Sequence, residues 1–439
     1  MPIASAKDTR FRLSEAQANE LAARYGTPLY VINETHLRKR IRTYVSAFKA
    51  AYPLSEISYA SKANSTLAVL AIAFAEGCSI DVASEGELRA ALAAGVPAHK
   101  CHLHGNNKTK EELAFALSAG VSHIVVDNFP EIELINTLAE GSARNTKLVL
   151  RLAPGVDPVT HAKISTGQAD TKFGFNIVDG SAEKAVQAVL EHRLNLVGFH
   201  CHVGSQLLDP EAQRAGGELI AQFAQEMKFR HHFTATYLNI GGGLGVQYTD
   251  KDEPMEVDQY CKLVSEAVLD ALGDMAEWPN LILGQEPGRA IIAESCVTLY
   301  RVGVQKTVPA KERGTRTYVC VDGGLSDNPR PALYGSKYTV EGFRDGPSQT
   351  VTVSGRHCET DKLFEDIELS KDLKVGDLIQ VLCTGAYNSS MASNYNRYSR
   401  PATALIRPNG AFALIQRQDT WEEMLAREIL PEGIGSTEC

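Results

Sequence analysis

The sequence predicts an α/β plus β protein: a (β/α)8 TIM-type barrel over residues 30–294, then a β-sandwich or barrel-like domain over 295–430, with residues 1–29 joining the second domain. Three observations carry that prediction. From about residue 28 to 294, short β-rich apolar runs alternate with longer segments of helical period. Eight such runs can be counted, and after about residue 295 the helical segments largely stop. Alternation of β and α units marks a parallel sheet, and eight units suit its closure into a barrel. An open doubly wound sheet shares the alternation and is the structural rival on pattern alone.

The barrel runs come in order. They begin near Ile57 (ISYASK), Cys78 (CSIDVAS), Cys101 (CHLHG) and His123 (HIVVDN), and continue near Leu148 (LVLRLAP), Leu196 (LVGFHCHVG), Tyr237 (YLNIGGG) and Leu281 (LILGQEPG). Between them SEGELRAALAAG, TKEELAFALSAG and PEIELINTLAEG place apolar residues at helical spacing and end in glycine, a common helix terminator. Ahead of the first run, PLYVIN precedes the helix that leads into the barrel, which is why the N-terminal residues are assigned to the second domain. Beyond 295, VTLYRVGVQKTV, RTYVCVDGG, QTVTVSG, DLIQVLCTG and ATALIRPNGAFALIQR read as strands joined by Gly, Asp and Asn turns. A short helix around WEEMLARE follows them.

Charge and composition narrow the class of function. The 439 residues carry a formal net charge of −9, a poor match for nucleic acid or an anionic membrane. The start, MPIASAKDTRFRLSEAQANEL, has no basic stretch followed by an apolar one, so no signal peptide is expected. The longest apolar run, Leu67 to Ala75, is far too short to cross a bilayer. Nine cysteines are scattered with no C-x-x-C pair, which disfavours a disulfide framework or a zinc site and suits reduced thiols in a cytoplasmic protein.

Chemistry in a barrel is expected at the C-terminal ends of its strands. Polar residues gather there: Lys62 after the first run, Asp81 and Ser84 after the second, Asn106 after the third, and Arg151 in the fifth. His200 and His202 lie in the sixth, Gly241 to Gly243 end the seventh, and Glu286 ends the eighth. A lysine leaving an apolar strand is usually a snorkelling surface residue, but a partly buried one loses its proton more readily and can bond to an aldehyde cofactor. GGGLG at Gly241 to Gly245 is either a tight turn or, as adjacent bare amides after a seventh barrel strand, a phosphate cradle. It departs from the dinucleotide pattern because Val246 replaces the last glycine.

Glu286 with Arg289 in QEPGR reads as a strand-end ion pair, or as the carboxylate that keeps a pyridine nitrogen protonated. His200 and His202 face one side of their strand. They are core histidines, an imidazole stacked on a cofactor ring, or a metal pair that lacks an evident third ligand. In the β domain, Arg330 and Tyr334 (SDNPRPALYGSKY) and Cys358 beside Glu359 (GRHCET) stand out. Singly they read as a surface arginine and a buried thiol. Together with Arg289, Arg330 could grip a carboxylate, and Cys358 could supply a proton.

The segments YASKAN, HVGSQ, NIGGGLG, QEPGR, SDNPRPALYG, CET and TGAY occur in the order found in the alanine-racemase-fold decarboxylases that use pyridoxal 5'-phosphate (PLP). Within that group the sequence most resembles the diaminopimelate decarboxylases, from roughly residue 25 to 420. The resemblance implies decarboxylation of meso-2,6-diaminopimelate to lysine, the last step of lysine biosynthesis, by a homodimer whose active sites are shared between subunits. It implies that Lys62 carries PLP, His202 stacks on its ring and Glu286 binds its nitrogen. Ser205, Gly242, Gly243, Gly288 and Tyr387 surround the phosphate, with Asp81, Pro287 and Arg289 completing the cofactor set.

By the same resemblance Arg289, Arg330 and Tyr334 bind the substrate carboxylate that is kept, beside Tyr387. Glu359 binds the distal amine and Cys358 donates the proton, both from the partner subunit. No metal is implied. The stretch Cys358, Glu359, Thr360, Asp361 is one residue shorter than the Cys-Glu-Ser-Gly-Asp common in the family, which implies a tightened loop. A decarboxylase of ornithine, arginine or a carboxylated polyamine is the nearest alternative, disfavoured by Glu359 with Arg330. An alanine racemase would leave Cys358 and Glu359 without a task, and a silent regulatory homologue would be expected to lose Lys62 or Glu286.

Overall fold

The computed structural model describes residues 9–155, 171–310, 314–360, 362–432 and 434. The first eight residues, assigned above to the second domain, and Asp361 of the acidic loop lie outside them. The described chain opens with a helix, Glu15–Tyr25, started by a reciprocal cap between Ser14 and Gln17. Strand β1 (Leu29–Asn33) follows, and the Asn33 side chain caps the helix Glu34–Ala51.

Eight parallel strands then form the barrel: β2 (Ser55–Ala60), β3 (Ser79–Val82), β4 (Cys101–Leu103), β5 (His123–Val126), β6 (Lys147–Ala153), β8 (Leu196–His200), β9 (Tyr237–Asn239) and β10 (Ile282–Gln285). A two-residue strand, β7 (Phe175–Asn176), lies against the end of β6. All eight predicted runs are present. Neighbours follow the order β5-β4-β3-β2-β10-β9-β8-β6, and β6 also pairs with β5. That last pairing closes the ring, whereas the rival open sheet would leave two edges.

Local chemistry explains how the rim is built. Ser84, Thr109 and Asn128 each stand a few residues past a strand and accept the amide of the third helical residue. Gly120, at φ +76°, ends its helix in the left-handed region. Such short strand-to-helix connections leave the C-terminal ends of the strands open on one face.

The second domain contains β11 (Cys296–Ala310), β12 (Gly314–Val321), β13 (Val340–Gly342), β14 (Ser348–Ser354), β15 (Lys362–Ser370), β16 (Leu378–Leu382), β17 (Ala402–Ile406) and β18 (Phe412–Gln416). Its order is β15-β14-β12-β11-β1-β17-β18, with β16 joined to β11 and β13. β11 serves two neighbourhoods. Residues 296–301 pair with β1 or β16, and after a register shift between Val302 and Gln305 the rest pairs with β12.

β1 pairs antiparallel with β11 and parallel with β17, so residue 30, the expected start of the barrel, lies inside a strand of the second sheet. The reason is burial: Leu29 to Ile32 are covered by that sheet, and the chain turns toward the barrel only at the Asn33 cap. The two domains are latched at the rim, where the Tyr387 amide donates to the Ala63 carbonyl at 2.9 Å and Asn64 Nδ2 donates to the Gly385 carbonyl at 3.2 Å. Among the described residues no helix is long and apolar enough to cross a membrane.

Candidate active site

Lys62 sits just beyond β2 in the short turn Ser61–Ala63. The Tyr59 hydroxyl donates to the Asn64 carbonyl at 3.0 Å, and the Ser61 hydroxyl donates to Glu87 at 2.7 Å. The lysine side chain is open to a cleft of about 320 Å³, yet protein surrounds that cleft closely. Burial pulls the Lys62 pKa down, but Asp81, Tyr387 and Glu286 pull harder, and it ends above the ordinary lysine value. The sequence reading expected burial to loosen this proton. Two nearby carboxylates reverse that expectation by favouring the ammonium.

Glu286, just past the end of β10, is buried and fully engaged. Its Oε2 lies 3.0 Å from His200 Nε2 and its Oε1 3.0 Å from His104 Nε2. Asn239 Nδ2 donates to Oε1 at 2.8 Å. Burial alone would raise the Glu286 pKa, but His104 and His200 hold it well below the usual carboxylate range. Both imidazoles are themselves pushed down by burial. The site therefore concentrates one stable negative charge on Glu286. Asp81 differs: burial pushes its carboxyl up to about 6 despite His104 and Lys62, and its Oδ2 has no hydrogen-bond partner among the described residues.

His104, His200 and Glu286 place three ligand-type atoms within 4.8 Å of one another. The pair considered from sequence, His200 and His202, is not the one that gathers: His200 stands with His104 and Glu286, and His202 is not in the group.

His202 lines the deep end of the cleft with Lys62, Ser205 and Gly288, and its Nδ1 accepts from the Gly242 amide at 3.3 Å. Burial and then the Lys62 charge hold its pKa well below the ordinary value. The glycines are required by close approach. A Cβ at Gly242 would stand 2.2 Å from the Glu286 carbonyl oxygen, and one at Gly243, with φ +141°, would stand 2.9 Å from the Gly204 carbonyl. The tight-turn reading holds, and it also leaves a surface without side chains beside Ser205.

Arg289 is 4 % exposed and donates twice to Ser205 Oγ, at 3.2 and 2.9 Å, and once to the Tyr248 hydroxyl at 2.6 Å. Arg330 is 6 % exposed and donates to the Tyr338 hydroxyl at 2.8 Å and Ser336 Oγ at 3.2 Å. The Tyr387 ring lies between them, 4.9 Å from the Arg289 guanidinium carbon and 5.6 Å from that of Arg330. Among the described residues neither arginine meets a carboxylate. Two buried cations without a counter-ion call for an anionic ligand, because an unpaired buried charge is costly.

The cleft thus brings together Lys62, His202, Ser205, Gly243, Glu286, Pro287, Gly288, Arg289, Arg330, Tyr334 and Tyr387, with Asn106 and Arg151 at its side. Ser84 is not among them and serves as a helix cap. Cys358 and Glu359 lie outside the cleft of their own chain. Cys358 is exposed, its amide donating to Asn396 Oδ1 at 3.1 Å, and Glu359 accepts from the Tyr395 hydroxyl at 2.7 Å.

Sequence reasoning missed His104, Asn239, Tyr248 and Tyr338. His104 had a visible signal, since CHLHG repeats the two-apart histidines of GFHCH. The tyrosines come from irregular segments with no periodicity to mark them.

PLP fits these residues. Glu286 offers an ionised carboxylate for a pyridine nitrogen, His202 an imidazole at the ring face, and Lys62 an amine. Ser205, Arg289 and the bare glycine backbone offer donors suited to a phosphate.

Residues 38–293 match the family described as pyridoxal-dependent decarboxylase, pyridoxal binding domain. The chain is 42% identical over 415 residues to diaminopimelate decarboxylase of Bacillus subtilis, covering 93% of each protein. It is 43% identical over 425 residues to that of Actinosynnema pretiosum, covering 95% of this chain and 92% of the relative. A crystal structure of diaminopimelate decarboxylase from M. jannaschii superposes with a TM-score of 0.87 at 33% identity over 98% of both chains. Barrel, second sheet and lysine-centred cleft define a PLP-dependent decarboxylase of fold type III. The chain belongs to the diaminopimelate decarboxylase family.

Proposed function

We propose that the protein removes one carboxylate from meso-2,6-diaminopimelate, releasing L-lysine and carbon dioxide in the last step of lysine biosynthesis. The observation that carries this reading is the pair Arg289 and Arg330, buried cations on the cleft that holds Lys62 and without a carboxylate partner among the described residues. A substrate with two amino-acid ends retains one carboxylate after reaction, and these cations suit that group. Crystal structures of the related M. jannaschii and Helicobacter pylori diaminopimelate decarboxylases in complex with L-lysine support the same substrate class.

Bound PLP supplies an electron sink for the pair left when carbon dioxide departs. The residues of this chain would hold and orient the reactants. Lys62 Nζ would carry the cofactor, and ionised Glu286 would keep a proton on its ring nitrogen. His202 would lie against the ring, with Ser205, Gly242, Gly243, Gly288 and Tyr387 around the phosphate and Asp81 and Pro287 nearby. Arg289, Arg330 and Tyr334 would grip the retained carboxylate and fix which bond stands perpendicular to the ring.

Cys358 would protonate the carbon that lost its carboxylate, and Glu359 would pair with the distal ammonium. Since both stand outside the cleft of their own chain, they would reach the cleft of a partner subunit in a homodimer. Eight free cysteines among the described residues support a reducing, cytoplasmic setting.

The test is release of lysine and carbon dioxide from meso-diaminopimelate by the PLP-loaded protein, beside ornithine, arginine and lysine. Turnover of diaminopimelate alone is expected. Turnover of a simple diamino acid instead would overturn the reading of Arg330 and Glu359.

A further inference from the structure

The end of the barrel opposite the cleft carries a second hollow, which the reaction does not use. It measures about 530 Å³, and its lining includes Lys49, Lys100, Lys147, His99, His123 and Glu56. Lys147 begins β6 and Lys100 immediately precedes β4, which places the hollow at the N-terminal face of the barrel. Lys49, Lys100 and Lys147 are all exposed, and none pairs with a carboxylate among the described residues. The whole chain carries −9, so three unneutralised ammonium groups around one concavity reverse the local field. The acid in the lining, Glu56, accepts from the Ser79 hydroxyl at 2.5 Å and offsets one of the three positive charges, which leaves the hollow net positive.

The floor of the hollow is unusual for this fold, whose barrel interiors are normally filled by branched aliphatic side chains. Behind His123, which lines the hollow, His102 meets Ser58 Oγ at 3.1 Å, the His102 and His123 rings lie 4.5 Å apart, and His123 stacks on Tyr237 at 4.6 Å. His123 lines the hollow, is 5 % exposed and makes no hydrogen bond among the described residues; His102 Nε2 also lacks a partner. Lys147 stands near enough to His123 to weigh on its protonation.

We propose that this hollow at the base of the barrel is a binding site for a small polyanion of the phosphate class, held by Lys49, Lys100 and Lys147 above the His123 floor. Three point-like ammonium groups suit a compact multivalent anion better than a planar carboxylate, for which arginine forks are the usual partner. The volume leaves room for two linked phosphates and their water.

The experiment is calorimetric titration of the PLP-loaded protein with inorganic pyrophosphate at constant ionic strength, the loaded state keeping the probe out of the cofactor's own phosphate site. Saturable binding is expected. In the double variant Lys100→Met/Lys147→Met it is expected to weaken about tenfold or more, as loss of two charge-assisted contacts implies. Turnover and melting temperature of that variant stay unchanged. No saturable heat, or equal affinity in the variant, overturns the proposal. If the variant fails to fold, amine acetylation of the wild type decides: pyrophosphate shields Lys100 and Lys147, and unaltered labelling refutes the site.

Discussion

His104 Nε2 stands 3.0 Å from Glu286 Oε1. The same nitrogen lies 3.6 Å from Asp81 Oδ1, so one imidazole adjoins two buried carboxylates of opposite tendency. Glu286 also has His200 and Asn239 and stays ionised, whereas Asp81 has an unpartnered oxygen and is pushed up to about 6. A site that must keep a ring nitrogen protonated needs one dependable negative charge. The histidines concentrate it on Glu286.

Glu286→Gln removes that charge while keeping shape and one acceptor oxygen. Turnover is expected to fall by a factor on the order of 100 or more, in line with losses seen when a preorganised electrostatic group is deleted. The cofactor should still bind, with a changed absorption spectrum as its ring nitrogen loses its proton. Unchanged spectrum and turnover would remove Glu286 from the role assigned to it.

Asp81 makes the stability of the cofactor-free protein depend on pH. Its folded pKa is raised, so between about 4 and 6 the folded state binds more protons than the unfolded one. Stability from this group is complete below that window and is lost as pH rises through it. Asp81→Asn should therefore flatten the fall in stability between pH 4 and 6, as read by denaturant melts. An unchanged slope would show that Asp81 is not buried as an acid.

Gly242→Ala puts a methyl group 2.2 Å from the Glu286 backbone carbonyl, where no side-chain movement can make room. Overpacking of this kind costs about 1–3 kcal/mol. Here the displaced backbone is the one that presents Glu286, so cofactor affinity should fall along with melting temperature. A variant that melts lower but binds PLP normally would confine the glycine to packing.

Much of this architecture is written in local pattern. Eight apolar runs became eight barrel strands because each is buried on both faces and bounded by caps such as Ser84 and Thr109. Lys62, His202 and Glu286 were legible because polar residues at apolar strand ends are conspicuous. Three matters were hidden. The sheet membership of β1 depends on β17, more than 350 residues away in sequence, and no local signal encodes that pairing. Tyr248 and Tyr338 join the site from irregular segments. The protonation of Lys62 depends on Asp81 and Glu286 meeting in space, and burial alone pointed the other way.

Cys358 poses the last question, because it is exposed outside the cleft that holds Lys62 in its own chain. If each site takes Lys62 from one subunit and Cys358 from the other, Lys62→Ala and Cys358→Ala are both expected to be nearly inactive alone. Mixed after reversible dissociation at equal amounts, half of the dimers are heterodimers, and each contains one site with both residues intact. Recovery of about a quarter of wild-type activity follows from that statistics for a two-fold symmetric dimer. A positional role for Cys358 within its own chain predicts no recovery, since no mixed dimer would then hold both groups in one site. The measurement thus separates a shared site from a self-contained one without depending on how either variant affects folding, provided both still dimerise by sedimentation.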